Sequence, residues 1–291
     1  MTEVRFFTVS STMVRVMKFF RILIVFLLTV VVLTGQTVLA DEKDEGNESF
    51  AKEDKLLIAN LGGFAVLTTW GIMSWDYGER SSHTRSEGWF EQDTTEGGAD
   101  KAAHFYASYL TSHGIAALCE SWGYSIQKSS LYGALSSFGL MSFIEIGDSF
   151  SHYGLSFEDF FMNTLGCYAG YLLYRYPEYG RKIDFRIEYL PDFSADDMST
   201  DYENMKFLMA VKLDGFDAVE NRYLQFLEYH IGYYARGYSD DNKEKNRHFY
   251  MGIGINLSKV FSDLSFRKTA KVFNYYQVPF TYAPLAWELP E

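Results

Sequence analysis

The sequence has little cysteine and little positive charge. Only two cysteines, Cys119 and Cys167, occur among 291 residues, which excludes a disulfide-stapled scaffold and a cysteine-rich zinc module. The 38 acidic residues outnumber the 26 basic ones and give a net charge of -12, so nucleic acid is not an expected partner. The sequence also lacks the phosphate-binding loop, the dinucleotide fingerprint, the GxSxG elbow and the HExxH motif, and therefore indicates none of the enzyme classes that use them.

Aromatic residues, in contrast, are abundant. The chain contains 25 Phe, 22 Tyr and 5 Trp, and 47% of its residues are hydrophobic, which excludes a wholly disordered protein. Its length suits one large domain or two smaller ones. In an acidic protein, so many aromatic side chains favour contact with a membrane interface in addition to a packed core.

Residues 1–40 have the pattern of a secretory signal peptide. Basic residues precede an uncharged run from Ile22 to Leu33, and small residues up to Ala40 precede an acidic stretch. The run is shorter than the ~20 residues that a membrane-spanning helix needs, although an uncleaved anchor stays open. No cysteine lies near the cleavage point, so we do not expect N-terminal lipidation. Residues 41–55 are predicted to be a flexible acidic leader.

The next segment, Leu56 to Trp75, carries no charged residue over 20 positions. A run of this length can span a bilayer. Its glycines, threonines and Asn60 make it only moderately apolar, so a buried core helix fits equally well. Both interpretations stay open at this point.

An α+β fold is predicted from a change of hydrophobic period near residue 183. Before that point, 3.6-residue patterns predict helices over 100–122, 129–150 and 157–174. With the run before them, they form a helical domain of about four helices over residues 56–182. Residues 183–291 alternate with period 2 and predict a mainly antiparallel, aromatic-rich sheet packed on or beside the helices.

The strand patterns cover residues 183–189, 206–213, 222–238 and 248–258, with a hairpin loop at 239–246. Strands with one apolar face and one Gly- or Tyr-rich face resemble those of outer-membrane proteins. Four or five strands are too few to close a barrel. We therefore expect an open sheet or a partial barrel, covered by the helices or completed by oligomerisation.

Polar residues with chemical potential cluster at the ends of the three helices. If these ends converge, carboxylates, a lysine, a histidine and an amide meet in a largely apolar bundle, which would shift their pKa values and could provide a general base. The candidate catalytic cluster consists of Asp100, Lys101, His104, Glu145, Asp148, Asp159 and Asn163. The weaker candidates for metal ligands are His104, Glu145 and Asp148.

Structural roles compete with these chemical ones. Asp100 follows a glycine pair and could be a helix N-cap, and Asp159 stands three residues after Ser156, which is the spacing of a capping box. Glu145 is harder to explain as structure, because it lies in an apolar run. A carboxylate there is costly unless Lys101 or His104 pairs with it.

The motifs around these residues resemble those of the YfiM-type family of predicted periplasmic lipoproteins, a bacterial domain of unknown function. The resemblance runs from about residue 56 to 260, and a weaker one links the helical core to VanZ-like membrane proteins. It rests on Glu87-Gly88-Trp89-Phe90, Gly97-Gly98-Ala99-Asp100-Lys101 with His104, Glu145-x-x-Asp148, and Tyr153 to Asp159 with Asn163 and Gly166. The family carries no established reaction and implies a location more than an activity.

The sequence thus predicts an exported protein of the bacterial periplasm or outer membrane. The leading interpretation is a structural or interaction component of the outer membrane, with membrane lipid as a partner and a homo-oligomer or another envelope protein as a possible one. The first alternative is a membrane-associated hydrolase acting on lipid or cell-wall material. The second alternative is a metal-binding or small-molecule-binding module. No cofactor can be named.

Overall fold

A computed structural model describes residues 51–190, 200–239 and 243–290. The predicted signal peptide and most of the predicted acidic leader lie outside these residues. The chain divides into two compact units. The smaller unit takes in the described residues up to His83 together with Ile146–Gly154, and the larger one takes in Thr84–Glu145 and the described residues from Leu155 onward. Since neither unit coincides with a predicted domain, the domain boundaries stay predictions.

The smaller unit contains one long helix, α1, over Lys52–Ser74. By length and composition alone, this helix could cross a membrane. Gly71 is its only buried residue, which does not favour the interpretation as a buried core helix. Beyond the helix, the Tyr77 ring occupies the space beside Gly71 and Gly147, where any larger side chain would collide with it.

The larger unit holds the predicted helices close to their predicted bounds. Helix α2 spans Ala99–Ser121, α3 spans Ile126–Asp148 and α4 spans Phe157–Arg175, followed by the single turn α5 over Pro177–Gly180. The last three residues of α3 belong to the smaller unit. Helix α4 begins where the capping-box spacing predicts, because the side chain of Ser156 accepts the backbone N–H of Asp159.

Glycine allows the three helices to approach one another closely. A Cβ atom at Gly166 of α4 would collide with the backbone of Phe105 in α2, and one at Gly133 of α3 would collide with Ser112. Across these contacts, Ser137 Oγ donates to the backbone carbonyl of Ser108 at 2.8 Å. The predicted face of small residues on α4 is therefore a helix-packing face.

The sheet has five antiparallel strands in sequence order. They are β1 over Ile183–Tyr189, β2 over Met205–Lys212, β3 over Leu227–Arg236, β4 over Asn246–Ile255 and β5 over Tyr282–Glu288. The sheet is not closed into a barrel, and the predicted α+β class with an open sheet is confirmed. The sequence patterns missed the short helices α6, over Leu257–Asp263, and α7, over Arg267–Val272, which precede β5.

The charged face of the sheet is buried and much of its apolar face is exposed, which is the reverse of the usual arrangement in soluble proteins. The face that carries Asp184, Arg186 and Glu188 is buried, and each of these residues is at most 4% exposed. The curled sheet brings β2 and β5 together across this face, where Lys206 Nζ donates to Tyr282 Oη at 3.1 Å. At its β1–β2 side the apolar face packs on α2, through Tyr106, Tyr109, Phe207 and their neighbours.

Candidate functional site

The candidate site of the larger unit forms where the first turns of α2 and α4 meet the C-terminal part of α3. Helix α2 starts after Gly97 and Gly98, both with positive φ, and Gly98 is its N-cap in a left-handed conformation. The interpretation of Asp100 as an N-cap is therefore wrong. Its side chain is instead free to turn inward within the first helical turn.

Lys101 is the centre of the site. Its Nζ lies 2.8 Å from Glu87 Oε2, 2.7 Å from Asp100 Oδ2 and 2.9 Å from Asp159 Oδ1. Lys101 is 1% exposed, so three carboxylates replace the water that a lysine normally binds. The first carboxylate comes from the loop before α2, the second from α2 and the third from α4.

His104 lies one helical turn further along α2 and leads into a second group. Its Nδ1 lies 3.2 Å from Asn163 Oδ1 and 3.5 Å from Glu145 Oε1. Asn163 Nδ2 donates to Glu145 Oε1 at 2.9 Å, and Ser108 Oγ donates to Asn163 Oδ1 at 2.9 Å. Glu145 is thus paired as its apolar sequence context requires, with His104 rather than Lys101, and Asn163 joins the two.

The two groups share Asp159, whose Oδ1 lies 3.9 Å from His104 Nε2. We call the whole set the charge cluster; it consists of Glu87, Asp100, Lys101, His104, Glu145, Asp159 and Asn163. Asp100 Oδ1 is a buried atom that accepts no hydrogen bond within the described residues, whereas Asp159 Oδ1 forms the ion pair with Lys101. Four carboxylates therefore face one lysine and one histidine.

This excess of negative charge controls protonation in and beside the cluster. Burial disfavours the charged forms of Lys101 and His104, but the surrounding carboxylates outweigh burial, so the pKa of each is raised. Glu96, in the loop before α2, titrates near neutrality. Its burial, together with the charges of Asp100 and Glu87, raises its pKa from 4.5 to about 7.

Six of the seven residues predicted for the site therefore lie in the charge cluster. The seventh, Asp148, ends α3 and belongs to the smaller unit, where its backbone carbonyl accepts the N–H groups of Ser151 and Gly154. The sequence reasoning did not place Glu87 among the site residues, although it forms part of the Glu-Gly-Trp-Phe motif. No periodic pattern marks it, because it lies in a loop.

A second buried charge network, on the sheet, was also missed. Arg186 donates to both oxygens of Glu228, at 2.6 and 2.9 Å, and to Asp184 at 3.0 Å. Lys212 Nζ pairs with Asp184 at 2.9 Å, and His230 Nε2 lies 2.9 Å from Glu228. The strand alternation showed these residues on one face, and the usual rule for soluble sheets would have exposed that face.

The two cysteines behave as structural residues. Cys119 in α2 and Cys167 in α4 are both free and buried. Burial raises the pKa of each thiol, which leaves little thiolate for reaction at neutral pH.

Among the described residues, three sets of side chains could hold a metal ion by geometry alone. Two lie in the charge cluster, Glu87 with Asp100 and Asp159, and His104 with Glu145 and Asp159; the third, exposed in the smaller unit, is Asp76 with Glu79 and His152. In the first set Lys101 Nζ already lies within 3 Å of every carboxylate. The second set contains two of the three predicted metal ligands, with Asp159 where the sequence suggested Asp148.

The charge cluster coincides with a segment that has known relatives. Residues 86–175 match the family described as predicted periplasmic lipoprotein (DUF2279). The match begins just before Glu87 and ends with α4, so it contains every residue of the charge cluster. Its description agrees with the predicted export to the periplasm or outer membrane, which is confirmed at that level. Comparisons with curated proteins and with solved structures give no match.

Proposed function

We propose that this protein is a structural or interaction component of the bacterial outer membrane that contacts lipid through its sheet. The observation that supports this proposal is the reversed burial of the sheet. Strands β3, β4 and β5 expose apolar side chains, and these form what we call the apolar sheet face: Tyr229, Met251, Ile253, Ile255, Leu285 and Trp287.

The register of the strands makes the apolar sheet face continuous. Tyr229 pairs with Ile253, and Met251 pairs with Leu285. Each residue of the face is between 47% and 69% exposed. Contiguous exposed apolar patches on a protein are typical of membrane or protein contacts, whereas the charged side of this sheet would be the one exposed in water.

Under this proposal the charge cluster has a structural role. It joins α2, α3 and α4 where glycines already allow close approach, and buried polar groups that pair with one another favour one packing arrangement. An open depression of about 770 Å³ in the larger unit is lined by Trp89, Phe90 and Arg247, and by no residue of the charge cluster.

We also extend the family likeness, as a proposal, to the YfiM-type proteins and more weakly to VanZ-like proteins.

Site-specific labelling tests the lipid contact. Because both native thiols are buried, the variant Ile253→Cys can carry a single environment-sensitive fluorophore, and Tyr223→Cys, in an exposed loop outside the sheet face, is the matched control. In lipid vesicles we expect blue-shifted emission at position 253 that doxyl-labelled lipids quench, and water-like emission at position 223. Equal, water-like emission at both positions would exclude lipid contact by the sheet.

A double substitution tests the structural role of the charge cluster. Replacing His104 and Glu145 together by apolar residues of similar size, His104→Phe and Glu145→Met, removes one paired unit. We expect one of two results. Either the double variant is less stable than the wild type because its helices pack less well, or it folds and keeps its cellular role in proportion to the amount of folded protein. A variant that is folded, correctly located and without cellular role would contradict the structural interpretation.

A second candidate function, a membrane-associated hydrolase, is favoured by the orientation of His104. Asn163 holds Nδ1, while Nε2 remains beyond hydrogen-bond distance of Asp159 on a side chain that is 20% exposed. This is the arrangement of a general base, which Glu145 could also provide, with Lys101 as electrostatic stabiliser and Asp159 as orienting group. The expected result is release of fatty acid or cell-wall fragments by the wild type and a loss of at least a hundredfold in His104→Asn; no release by the wild type would exclude this function.

A further inference from the structure

We infer that the open depression beside Arg247 binds the phosphate of an anionic phospholipid headgroup. The inference rests on the proposed lipid contact of the sheet and names the lipid group that the protein recognises. The depression has a volume of about 770 Å³, which is within the usual range of ligand sites. Its wall combines the aromatic side chains of Trp89 and Phe90 with the cations of Lys245 and Arg247.

Arg247 is a buried cation without a carboxylate partner. It is 8% exposed, and its two terminal nitrogens donate to the backbone carbonyls of Phe90 and Pro290. Its Nε has no acceptor, and no carboxylate pairs with its guanidinium, within residues 51–190, 200–239 and 243–290. A buried charge is costly unless an opposite charge engages it. The guanidinium therefore has both a donor and its charge available for an anion in the depression that it lines.

The other charged groups of the depression do not compensate Arg247. Lys245 adds a second cation to the wall, whereas Glu91 and Asp93 add carboxylates. Glu91 Oε2 accepts a backbone N–H of its own loop at 2.6 Å. Neither carboxylate forms an ion pair with Arg247. The protein's own acids thus leave the guanidinium for a ligand, and its planar donors suit a phosphate group.

The walls of the depression are held in place by contacts between distant parts of the chain. Gln92 Nε2 donates to the backbone carbonyl of Lys245 at 3.0 Å, and Tyr238 Oη donates to the backbone carbonyl of Gln92 at 3.1 Å. The rings of Phe90 and Tyr233 meet edge to face, with centroids 5.2 Å apart. A site that is already formed binds its ligand at a lower cost in conformational entropy.

Arg247 lies at one end of the side of β4 that carries the apolar sheet face. Alternate residues of a strand point to the same side, so Arg247 shares that side with Met251 and Ile253. At about 3.4 Å per residue, Met251 lies roughly 14 Å and Ile253 roughly 20 Å further along the strand. The hydrocarbon of one leaflet is about 15 Å thick, which is half of the bilayer core. A phosphate at Arg247 therefore places the acyl chains of the same lipid along the apolar sheet face.

This continuity favours a phospholipid over a free anion. Trp89 in the wall is 40% exposed, and Trp287, which pairs with Phe249 on β4, is 49% exposed. Tryptophan is enriched at the level of lipid headgroups, where its ring meets both apolar chains and water. The net charge of -12 opposes a general attraction to anionic membranes. Recognition of an anionic lipid by this protein therefore requires a local cationic site.

Vesicle flotation of the full-length purified protein tests the inference. Vesicles of phosphatidylcholine are compared with vesicles of phosphatidylcholine and phosphatidylglycerol in equal parts. We expect roughly tenfold tighter binding to the mixed vesicles, the size expected of one hydrogen bond to a charged group. Arg247→Met should abolish this preference. The matched control Arg222→Met removes the same charge at an exposed loop position and should keep the preference.

The outcomes separate this inference from the lipid contact itself. Equal binding of the wild type to both kinds of vesicle, with the fluorophore at position 253 still in lipid, would overturn the headgroup site and leave the lipid contact of the sheet in place. A preference that survives in Arg247→Met and is lost in Arg222→Met would also overturn it. Absence of binding to either kind of vesicle would overturn both proposals.

A measurement on the wild type covers the case in which Arg247→Met does not fold. Protein labelled with ¹⁵N-arginine is titrated with dihexanoylphosphatidylglycerol below its micelle concentration, and the Nε–H signal of Arg247 is assigned with Arg247→Lys, which keeps the charge. We expect this signal to shift and saturate while that of Arg222 does not move. Inorganic phosphate and dihexanoylphosphatidylcholine should act only at higher concentration. An equal response to inorganic phosphate would indicate a free-anion site and overturn the lipid assignment, and an unmoved Arg247 signal would exclude the site.

Discussion

At the scale of single residues, Lys101 is the side chain on which the charge cluster depends. A lysine near the start of a helix is normally solvated, but here it is 1% exposed and lies within 3 Å of three carboxylates. Ordinary composition rules would place this residue at the surface. It is buried because the carboxylates that surround it come from three separate chain segments.

Removal of the Lys101 charge should destabilise the protein strongly. The variant Lys101→Met leaves the carboxylates of Glu87, Asp100 and Asp159 buried together without their cation, and breaking a buried ion pair in this way costs about 3–5 kcal/mol. We expect a loss of this size in urea unfolding followed by circular dichroism. The control Lys128→Met, at an exposed position of α3, should change stability by less than about 0.5 kcal/mol.

Glu96 predicts a specific pH dependence. Its pKa in the folded protein is raised to about 7 by burial, Asp100, Glu87 and Glu203, against a weaker opposing effect of Lys245. An acid with a raised folded pKa binds its proton more tightly when folded. Its contribution to stability is therefore complete below about pH 4.5 and is lost as the pH rises to about 7.

The side chain in the variant Glu96→Gln does not ionise, so this variant should not lose folding stability in this way as the pH rises. We expect its melting temperature to exceed that of the wild type at pH 8, by an amount equivalent to about 1–2 kcal/mol after allowance for partial exposure. The difference should shrink as the pH falls through the range from 7 to 5. Glu220→Gln, at an exposed position, is the control, and a pH-independent difference for Glu96→Gln would refute the proposed cause.

At the scale of elements, the helix interface depends on small residues. Gly166 lies against the backbone of Phe105 and the side chain of Ser108, and Cys167 Sγ, next in the chain, lies 3.4 Å from Ser137 Oγ. The sequence showed the glycines of α4 on one face, and that pattern predicts close packing correctly. It could not show which helix approaches, because a local pattern identifies a packing face but not its partner.

Two glycine-to-alanine substitutions separate helix packing from helix propensity. In Gly166→Ala the new Cβ has no room between α4 and α2, so we expect destabilisation by about 1–3 kcal/mol. In Gly114→Ala no atom lies within 4 Å of the new Cβ, and the gain in helix propensity should stabilise the protein by about 0.5–1 kcal/mol. Thermal unfolding measures both, and equal effects would contradict the close helix contact.

At the scale of the whole molecule, the reversed sheet and the apolar helix α1 both fit an envelope protein better than a protein free in water. We expect most of the full-length chain to sediment with the outer membrane when bacterial membranes are separated by density, and detergent to release it. The substitutions Met251→Lys and Ile253→Lys on the apolar sheet face should increase the soluble fraction, whereas Tyr223→Lys should not. Recovery of the unmodified protein in the soluble periplasm would contradict lipid contact.

Local patterns determined the elements and much of the candidate site. The helices from Ala99 to Arg175 and four strands appeared from their periods of 3.6 and 2, because burial of one side of an element imposes that period. The cap at Ser156 was visible for the same local reason. Strand β5 and the short helices before it were missed, since Pro284 and scattered aromatic residues obscure any regular alternation there.

Only the tertiary structure decided which polar residues meet. Alternation along β1 set Asp184, Arg186 and Glu188 apart from Phe185 and Ile187, but burial of the charged side depends on partners such as Glu228, 42 residues away. In the same way, Glu87 joins Lys101 from a loop, and Glu145 pairs with His104 rather than Lys101. Long-range pairing of charges leaves no trace in a local period, and this is why the sequence located the cluster but not its internal contacts.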